Sequence, residues 1–281
     1  MTEKIRIGNV EVWALLDMIP PPYAPDDFFP TIPLEAWEMY RRDVLDEDGN
    51  LQLYYGCFAI RSQGKLIMAD TGMGPGPHPE RGNGRGDLIN QIRREGLASD
   101  KVDYVVHTHL HADHVGWNVT AEGKATFPRA RYLVPRADWE YFTQPQILET
   151  VPAMDRSVLP LKDLGVMDLV EGEHRITSEV STIPTPGHTP GHLNVLISSQ
   201  GQKGVVVGDL IQSVVQVMEP GWGSRADIDP RKAWETRIAM VERIEGEGMV
   251  MAAGHFNTGA HFGRIVRVDG RRYWQVESPQ A

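Results

Sequence analysis

The sequence predicts a protein of the α+β class, built from two halves that share one plan. Short apolar runs of strand length alternate with helical segments along the chain. Each half has an aspartate directly after a buried strand, Asp70 in the first half and Asp209 in the second. In each half a helix and another strand follow, and that strand ends at a histidine. We expect residues 1–281 to form one domain.

Composition excludes several classes of protein. The 281 residues are 41% apolar and 23% charged, which is ordinary for a globular protein, and the net charge is −10. This charge argues against nucleic acid or an anionic membrane surface as the partner. The single cysteine, Cys57, excludes an internal disulfide framework. Because no signal-peptide core and no run of about 18 apolar residues is present, we expect a cytoplasmic protein without a membrane segment.

The elements of the first half follow from periodicity and turn signals. Alternating apolar residues indicate strands, and Ser62-Gln63-Gly64 is typical of a hairpin turn. Asp87 is placed to cap a short helix that ends at Gly96, and another helix is expected to begin at Ala137. The predicted strands are residues 5–16 (as one strand or two), 53–61, 65–69, 102–106 and 131–134.

Residues 18–50 interrupt this pattern with many prolines and several aromatic residues. The prolines disfavour a helix interior or a central strand, and a flexible linker would contain fewer aromatics. We therefore expect an ordered segment on the body of the protein. It is either a surface flap that fills space or a lid that gives an active site an apolar wall. The candidate substrate-contacting aromatics, any of which can instead be a core residue, are Phe28, Phe29, Trp37 and, later in the chain, Trp222.

The second half is richer in strands. Asp229-Pro230 is a capping residue followed by proline at the first helical position, so a helix is predicted over residues 230–245. A short helix is expected near residues 159–164, and Asp269-Gly270 is typical of a closing hairpin. The predicted apolar stripe of the long helix is Trp234, Ile238, Val241 and Ile244. The predicted strands are residues 167–170, 180–183, 193–198, 204–208, 249–253, 264–268 and 271–276.

Residues 107–116 contain most of the candidate metal-binding side chains. Four of the ten histidines lie within eight residues here, together with Asp113. His109 and His111 are two residues apart, so an extended segment places them on the same side, and neutral imidazole is a common zinc ligand. Asp113 and His114 can diverge in a turn towards a second ion. Further ligands are expected at later strand ends, where glycines allow a sharp turn: His188, Asp209 and His255.

This pattern of ligands resembles the metallo-β-lactamase-fold hydrolase superfamily, and the resemblance extends from Asp70-Thr71-Gly72 to Gly254-His255. It implies a four-layer αβ/βα sandwich with two metal ions at the edge between two sheets. It also implies a division of the ligands between the two ions. His109, His111 and His188 would bind one ion, Asp113, His114 and His255 the other, and Asp209 would bridge them.

Three further residues are expected to support the ligands from behind. They are Asp70, for which a simple turn is the alternative, His107, which can also be merely buried, and His192, which can also be a turn residue. His261 lies close enough to His255 in the sequence to line the pocket.

Two divalent ions can hold a hydroxide and polarise an electrophile, and Asp113 can orient that hydroxide and carry its proton. Zinc is the expected metal, although manganese, iron and cobalt also suit such ligands.

Within the superfamily the chain is most similar to the quorum-quenching lactonase and methyl parathion hydrolase-like group. The similarity lies in residues 188–192, 208–211 and the helix after Asp227. Acyl-homoserine lactonases have a substrate-contacting tyrosine three residues after the bridging aspartate, where this chain has Gln212. Since Asp209 stands where the main zinc β-lactamases have cysteine, β-lactam hydrolysis is not expected.

The predicted function is the opening of a lactone or the cleavage of a small carboxylic ester that has an apolar or aromatic part. The alternatives are an organophosphate triester hydrolase, a mononuclear iron thiol or persulfide dioxygenase, a glyoxalase II-like thioesterase, and a non-catalytic small-molecule binder. A homodimer is expected by resemblance to related enzymes.

Overall fold

The computed structural model describes residues 3–277, in which two β-sheets pack face to face. The strands of the first sheet are β1 (Glu3–Ile7), β2 (Val10–Met18), β3 (Tyr55–Ser62), β4 (Lys65–Ala69), β5 (Tyr104–Val106), β6 (Arg131–Pro135) and β7 (Met167–Val170). They lie side by side in chain order. The pairs from β1 to β4 are antiparallel, and those from β4 to β7 are parallel. The carboxyl ends of the parallel strands therefore meet at one edge.

The second sheet is formed by the second half of the chain. Its strands are β8 (Val180–Pro184), β9 (Leu193–Ser199), β10 (Gln202–Val206), β11 (Val250–Ala252), β12 (Phe262–Val268) and β13 (Arg271–Val276). They lie in the order β13-β12-β11-β10-β9-β8. Only β10 and β11 run parallel, and the loops that follow these two strands carry Asp209 and His255.

The helices cover the outer faces and the edge of the sheets. They are α1 (Pro25–Phe28), α2 (Arg41–Val44), α3 (Leu88–Arg94), α4 (Ala112–Val115), α5 (Arg136–Phe142), α6 (Pro145–Leu148), α7 (Leu159–Asp163), α8 (Val215–Met218) and α9 (Pro230–Gly246). Short 3₁₀ turns span Leu34–Trp37, Pro79–Arg81, Ser99–Lys101 and Gly208–Leu210, and a π-helical turn spans Met154–Val158. Within residues 3–277, no helix is both long and apolar enough to cross a membrane.

The three largest clusters of buried apolar residues in the described chain lie between the sheets and on each outer face. Val12 and Ile67 of the first sheet meet Val195 and Val206 of the second in the central core. The alternate residues of the same strands face outward, where α3 covers the first sheet and α9 covers the second. The protein therefore has the predicted order of layers, helix on sheet on sheet on helix, and the α+β fold class is confirmed.

The start of α3 differs from its prediction. Asp87 precedes the helix, but within the described chain its carboxylate caps no backbone N–H of α3. The Leu88 N–H donates to Asp17 Oδ1 instead, at 2.9 Å. Asp17 is buried at the end of β2 and also accepts from the Met73 N–H and the Trp117 indole. A tertiary contact thus supplies the cap that a local pattern had assigned to Asp87.

Helix α9 has the predicted cap but a different buried face. Asp229 accepts from the Lys232 N–H at 2.9 Å, as expected. Trp234 is 47% exposed, so the predicted stripe was wrong at this position. The residues of α9 that are buried are Ala233, Arg237, Met240, Val241 and Ile244. Because Arg237 lies at the centre of this buried stripe, a pattern based on apolar residues at helical spacing did not identify the stripe.

Residues 18–50 form an ordered layer of short helical turns against the second half of the chain. Phe29 and Trp37 are buried and pack on Trp222. Tyr40 donates a hydrogen bond to Glu219, which directly follows α8. The backbone of Tyr23 pairs with that of Leu51 at the base of the segment. Packing on the body therefore holds this proline-rich segment in place.

Candidate metal centre

The histidine-rich loop begins where β5 ends at the edge of the sheet. His111 still has extended backbone angles and directly precedes helix α4. Helix α4 then turns the chain so that Asp113 and His114 are presented on a separate turn. Thr108 anchors the loop, because its N–H and its hydroxyl both donate to Asp70, at 2.8 and 2.7 Å.

Two groups of side chains in the described chain can each hold a metal ion, and within each group the ligand atoms lie within 4.8 Å of one another. The first donor group is His109, His111, His188 and Asp209. The second donor group is Asp113, His114 and His255. All seven residues that the sequence pointed to as ligands are thus brought together, from four separate loops.

Asp209 lies between the two groups and turns one oxygen towards each. Its Oδ2 is 3.3 Å from His188 Nε2 in the first donor group. Its Oδ1 is 2.8 Å from His255 Nε2 and 3.0 Å from His114 Nε2 in the second. Asp209 is therefore placed where a bridging carboxylate must lie.

The donor atoms fit divalent metal ions. Nε2 of His109 and Nε2 of His114 are buried, and neither forms a hydrogen bond with any of residues 3–277. Buried polar atoms normally have a partner, and a cation shared among imidazole nitrogens and carboxylates would satisfy both. Burial holds the pKa of His109 well below its ordinary value. At neutral pH this imidazole is therefore uncharged, which is the form that binds metal.

The pKa values of Asp209 and His114 are shifted by each other's charge and by the charges of their neighbours. Burial raises the pKa of Asp209, but His255, His114 and further histidines outweigh this effect and hold it well below its ordinary value. Burial lowers the pKa of His114, yet Asp209, Asp70 and Asp113 raise it well above the usual range. The site therefore attracts positive charge, whether as protons or as metal ions.

Three of the five histidines in the donor groups are held from behind by a carboxylate or a carbonyl at their other ring nitrogen. His114 Nδ1 lies 2.9 Å from Asp70 Oδ2, which is the supporting contact expected of Asp70. His255 Nδ1 donates to the Tyr54 carbonyl at 2.7 Å, and His188 Nδ1 donates to Asp227 Oδ1 at 3.0 Å. Such contacts fix the tautomer and the ring orientation of a metal ligand.

His192 and His107 occupy different positions behind the site. His192 Nε2 accepts from the Asp209 N–H at 3.0 Å, and its Nδ1 lies 2.8 Å from the Thr185 hydroxyl. Burial lowers the pKa of His192 to about 3, which keeps it an acceptor. His107 is buried and stacks on Tyr132 with ring centroids 6.3 Å apart. His192 therefore supports Asp209, whereas His107 packs under the loop.

The predicted substrate-contacting residues lie in three different parts of the structure. Gln212 is buried and donates from Nε2 to Asp209 Oδ2 at 3.0 Å. His261 is paired with Glu3, with its Nδ1 2.7 Å from Oε1. The predicted aromatics Phe28, Phe29, Trp37 and Trp222 pack with one another in one cluster. In this arrangement Gln212 contacts Asp209, His261 contacts Glu3, and the four aromatics contact one another.

Sequence reasoning missed a phenol beside the second donor group. The ring of Tyr55 lies 5.7 Å from that of His255. Its hydroxyl is 3.4 Å from that of Tyr23, which belongs to the proline-rich segment. Tyr55 stands at the start of β3 in an apolar run, so nothing in the local sequence distinguished it from a core residue.

Asp138, also missed, joins the loops of the two halves. It is buried near the start of α5 and accepts from the Leu110 N–H at 3.2 Å, the Thr189 hydroxyl at 2.9 Å and the Gly191 N–H at 2.6 Å. Leu110 lies between His109 and His111, and Thr189 follows His188. Asp138 therefore ties together both loops of the first donor group.

We expect Asp138 to make the stability of the protein depend on pH. Burial raises its pKa from 3.8 to about 6 despite the hydrogen bonds it accepts. A group whose pKa is raised by folding contributes stability below its unfolded pKa, and that contribution is lost as the pH rises through the folded pKa. The free energy of unfolding of the wild type, minus that of Asp138→Asn, should therefore fall between about pH 4 and pH 6. Denaturant unfolding at a series of pH values measures it, and a flat difference would contradict the expectation.

The metallo-beta-lactamase superfamily model matches residues 56–255, more than two thirds of the chain. The protein therefore belongs to this superfamily. The predictions of the family, of its fold and of a metal-dependent hydrolase are confirmed, and the two donor groups accommodate the two predicted divalent ions.

Lactonases are among the relatives of this chain. An N-acyl homoserine lactonase of Bacillus thuringiensis is 24% identical over 220 residues, which cover 73% of this chain and 82% of that protein. The N-acyl homoserine lactonase AttM of Rhizobium radiobacter is 34% identical over 123 residues, which cover 41% of this chain and 43% of AttM. These two proteins open the ring of N-acyl homoserine lactones, as their names state.

Two solved structures share the fold along almost the whole chain. AidC, a dizinc quorum-quenching lactonase in complex with a product, has a TM-score of 0.85 and 22% identity, with coverage of 100% of this chain and 98% of AidC. The hydrolase AbOPH has the same TM-score and coverage, at 24% identity.

Proposed function

We propose that the protein is a dinuclear metal-dependent lactonase, with N-acyl homoserine lactones as its first candidate substrates. The observation that carries this proposal is Asp209, whose two oxygens face two separate groups of metal donors. The lactonase relatives support the choice of lactones over phosphotriesters and thioesters. We propose zinc as the metal because AidC is a dizinc enzyme and imidazole with carboxylate suits zinc.

The protein's own residues have distinct tasks in this proposal. Two bound divalent ions would supply a hydroxide at neutral pH and would polarise the lactone carbonyl. The first donor group would hold one ion, the second would hold the other, and Asp209 would fix their separation. The carboxylates and the carbonyl that contact the other ring nitrogen of His114, His188 and His255 would orient these three imidazoles as ligands.

Asp113 is suited to proton transfer. Its side chain is 19% exposed, whereas that of Asp209 is 5% exposed, so a substrate can reach Asp113 more readily. Its Oδ2 lies 3.8 Å from His114 Nε2 and 3.9 Å from His255 Nε2. We assign to Asp113 Oδ2 the uptake of the hydroxide proton and its delivery to the alcohol oxygen that leaves when the ring opens.

Gln212 separates this protein from the lactonases it resembles. Where the resemblance implies a substrate-contacting tyrosine, the amide of Gln212 is bound to Asp209. Gln212 thus holds Asp209 in place and offers no phenol to the substrate. Tyr55, beside His255, is a phenol that can contact a substrate carbonyl in its place.

Turnover of a substrate panel tests the proposal. The protein, loaded with about two zinc ions per chain, is assayed with N-acyl homoserine lactones, simple lactones, an aryl ester, a thioester and a p-nitrophenyl phosphotriester. We expect the highest kcat/KM for lactones, and a loss of about 10²–10⁴-fold in kcat for Asp113→Asn. Absence of lactone turnover by the metal-loaded protein would refute the proposal. Faster turnover of the phosphotriester would favour that alternative, and oxygen uptake with one iron per chain would favour a dioxygenase.

Three finer predictions accompany the proposal. We propose a homodimer, some turnover of small carboxylic esters, and a location in the cytoplasm. Light scattering on a sizing column measures the first, and the aryl ester of the panel measures the second.

A further inference from the structure

Helix α9 carries a buried arginine that binds two loops of the metal centre. Arg237 is the largest fully buried side chain among the described residues. Its Nε donates to the Leu210 carbonyl at 2.7 Å, its Nη1 to the Trp222 carbonyl at 3.1 Å and its Nη2 to Asp227 Oδ2 at 2.8 Å. Burying a guanidinium is costly unless such partners satisfy it. The three hydrogen bonds that Arg237 donates therefore explain why an arginine is buried at this position.

One of these contacts leads directly to the first donor group. Asp227 uses its other oxygen, Oδ1, to accept from His188 Nδ1 at 3.0 Å. A carboxylate can only accept, so Nδ1 carries the proton and Nε2 keeps its lone pair. Nε2 faces the first donor group, 3.3 Å from Asp209 Oδ2 and 2.9 Å from His111 Nδ1.

A second contact leads to the same donor group by another route. The carbonyl that accepts from Arg237 Nε belongs to Leu210, the residue after Asp209. Arg237 thus holds the turn that carries Asp209 and, through Asp227, the ring of His188. The histidines of the second donor group are held by Asp70 and by the Tyr54 carbonyl instead.

We propose that Arg237 and Asp227 form a positioning pair that sets the metal affinity of the first donor group. The pair acts through His188 and through the turn at Asp209, and it touches no reacting atom. The inference concerns metal binding, so it stands whether or not lactones are the substrate.

Asp227→Asn tests the pair, because asparagine keeps the shape of the side chain but removes its charge. We expect one of the two metal equivalents to bind about 10–100-fold more weakly, as loss of such an outer partner typically causes. The other equivalent should keep its affinity. Titration with Co²⁺ against a chromophoric chelator measures both affinities, and the visible absorption of Co²⁺ reports the ligand geometry of the weakened site.

Asp229→Ala is the matched control. This carboxylate lies two residues further on and accepts from the Lys232 N–H at the start of α9. Its loss should lower the Tm through α9 while both Co²⁺ affinities stay at the wild-type value. Arg237→Lys keeps the positive charge but loses the planar guanidinium group. It should weaken binding of the same metal ion as Asp227→Asn does. Should Asp227→Asn fail to fold, Arg237→Lys provides the same measurement.

The outcomes separate a positioning role from a merely structural one. Selective weakening of one equivalent in Asp227→Asn and Arg237→Lys, without weakening in Asp229→Ala, supports the proposal. Wild-type affinity for both equivalents overturns it. Equal weakening of both equivalents also overturns it, as does selective weakening in Asp229→Ala, because each would reflect general loss of stability.

Discussion

Asp209→Ala is expected to abolish both metal binding and hydrolysis. The substitution removes Oδ1 and Oδ2 together, and each faces a different donor group. The loss of metal affinity should therefore exceed the roughly 10–100-fold caused by removal of an outer partner. Activity towards lactones should fall to background. Metal content after dialysis and kcat/KM at fixed zinc concentration measure the two effects.

Asp100→Ala is the control for this experiment. Asp100 has a side chain that is 61% exposed and lies on a 3₁₀ turn away from the donor groups. This variant should keep the metal content and activity of the wild type. If Asp209→Ala retained two metal ions or measurable lactone turnover, Asp209 would not be the bridging ligand.

Phe29→Ala is expected to destabilise the protein while leaving catalysis by the folded protein unchanged. Phe29 is fully buried, with its ring centroid 5.2 Å from that of Phe28 and 5.4 Å from that of Trp37. Removal of a phenyl ring from such a site leaves a cavity and typically costs about 3–5 kcal/mol. Denaturant unfolding measures the cost, and steady-state kinetics at low temperature measure kcat and KM.

Leu34→Ala provides the comparison within the same proline-rich segment. Leu34 is 53% exposed, so its truncation should change the free energy of unfolding by no more than about 0.5 kcal/mol. A rise in KM for Phe29→Ala with little loss of stability would show that the aromatic cluster forms a wall of the substrate site after all. Such a result would support the substrate-contacting role predicted for Phe29.

The candidate metal donors could be identified from the sequence because each lies in a recognisable local pattern. His109, His111 and Asp113 lie within five residues, and their spacing alone places them in one loop. Isolated ligands such as His188 and His255 could be recognised because each follows a strand and lies among glycines. Strand ends meet at sheet edges, so their positions along the chain already indicated convergence.

Asp70 apart, the buried carboxylates that join distant segments could not be identified in the same way. Asp17, Asp138 and Asp227 each accept several hydrogen bonds from distant loops. No spacing rule links such a carboxylate to its partners, since the contacts depend on how two sheets and their loops pack. The same reason explains Trp234 and Arg237, whose exposure and burial reverse the usual preference of their side chains.

The sequence by itself determined the class of the protein, the order of its strands along the chain and the set of candidate metal donors. These properties depend on periodicity, turn residues and short spacings, all of which are local. Only the tertiary structure decided that Asp209 turns one oxygen to each donor group, that Gln212 binds Asp209, and that Arg237 reaches His188 through Asp227. These contacts join residues from different loops, and packing alone brings those loops within hydrogen-bond distance.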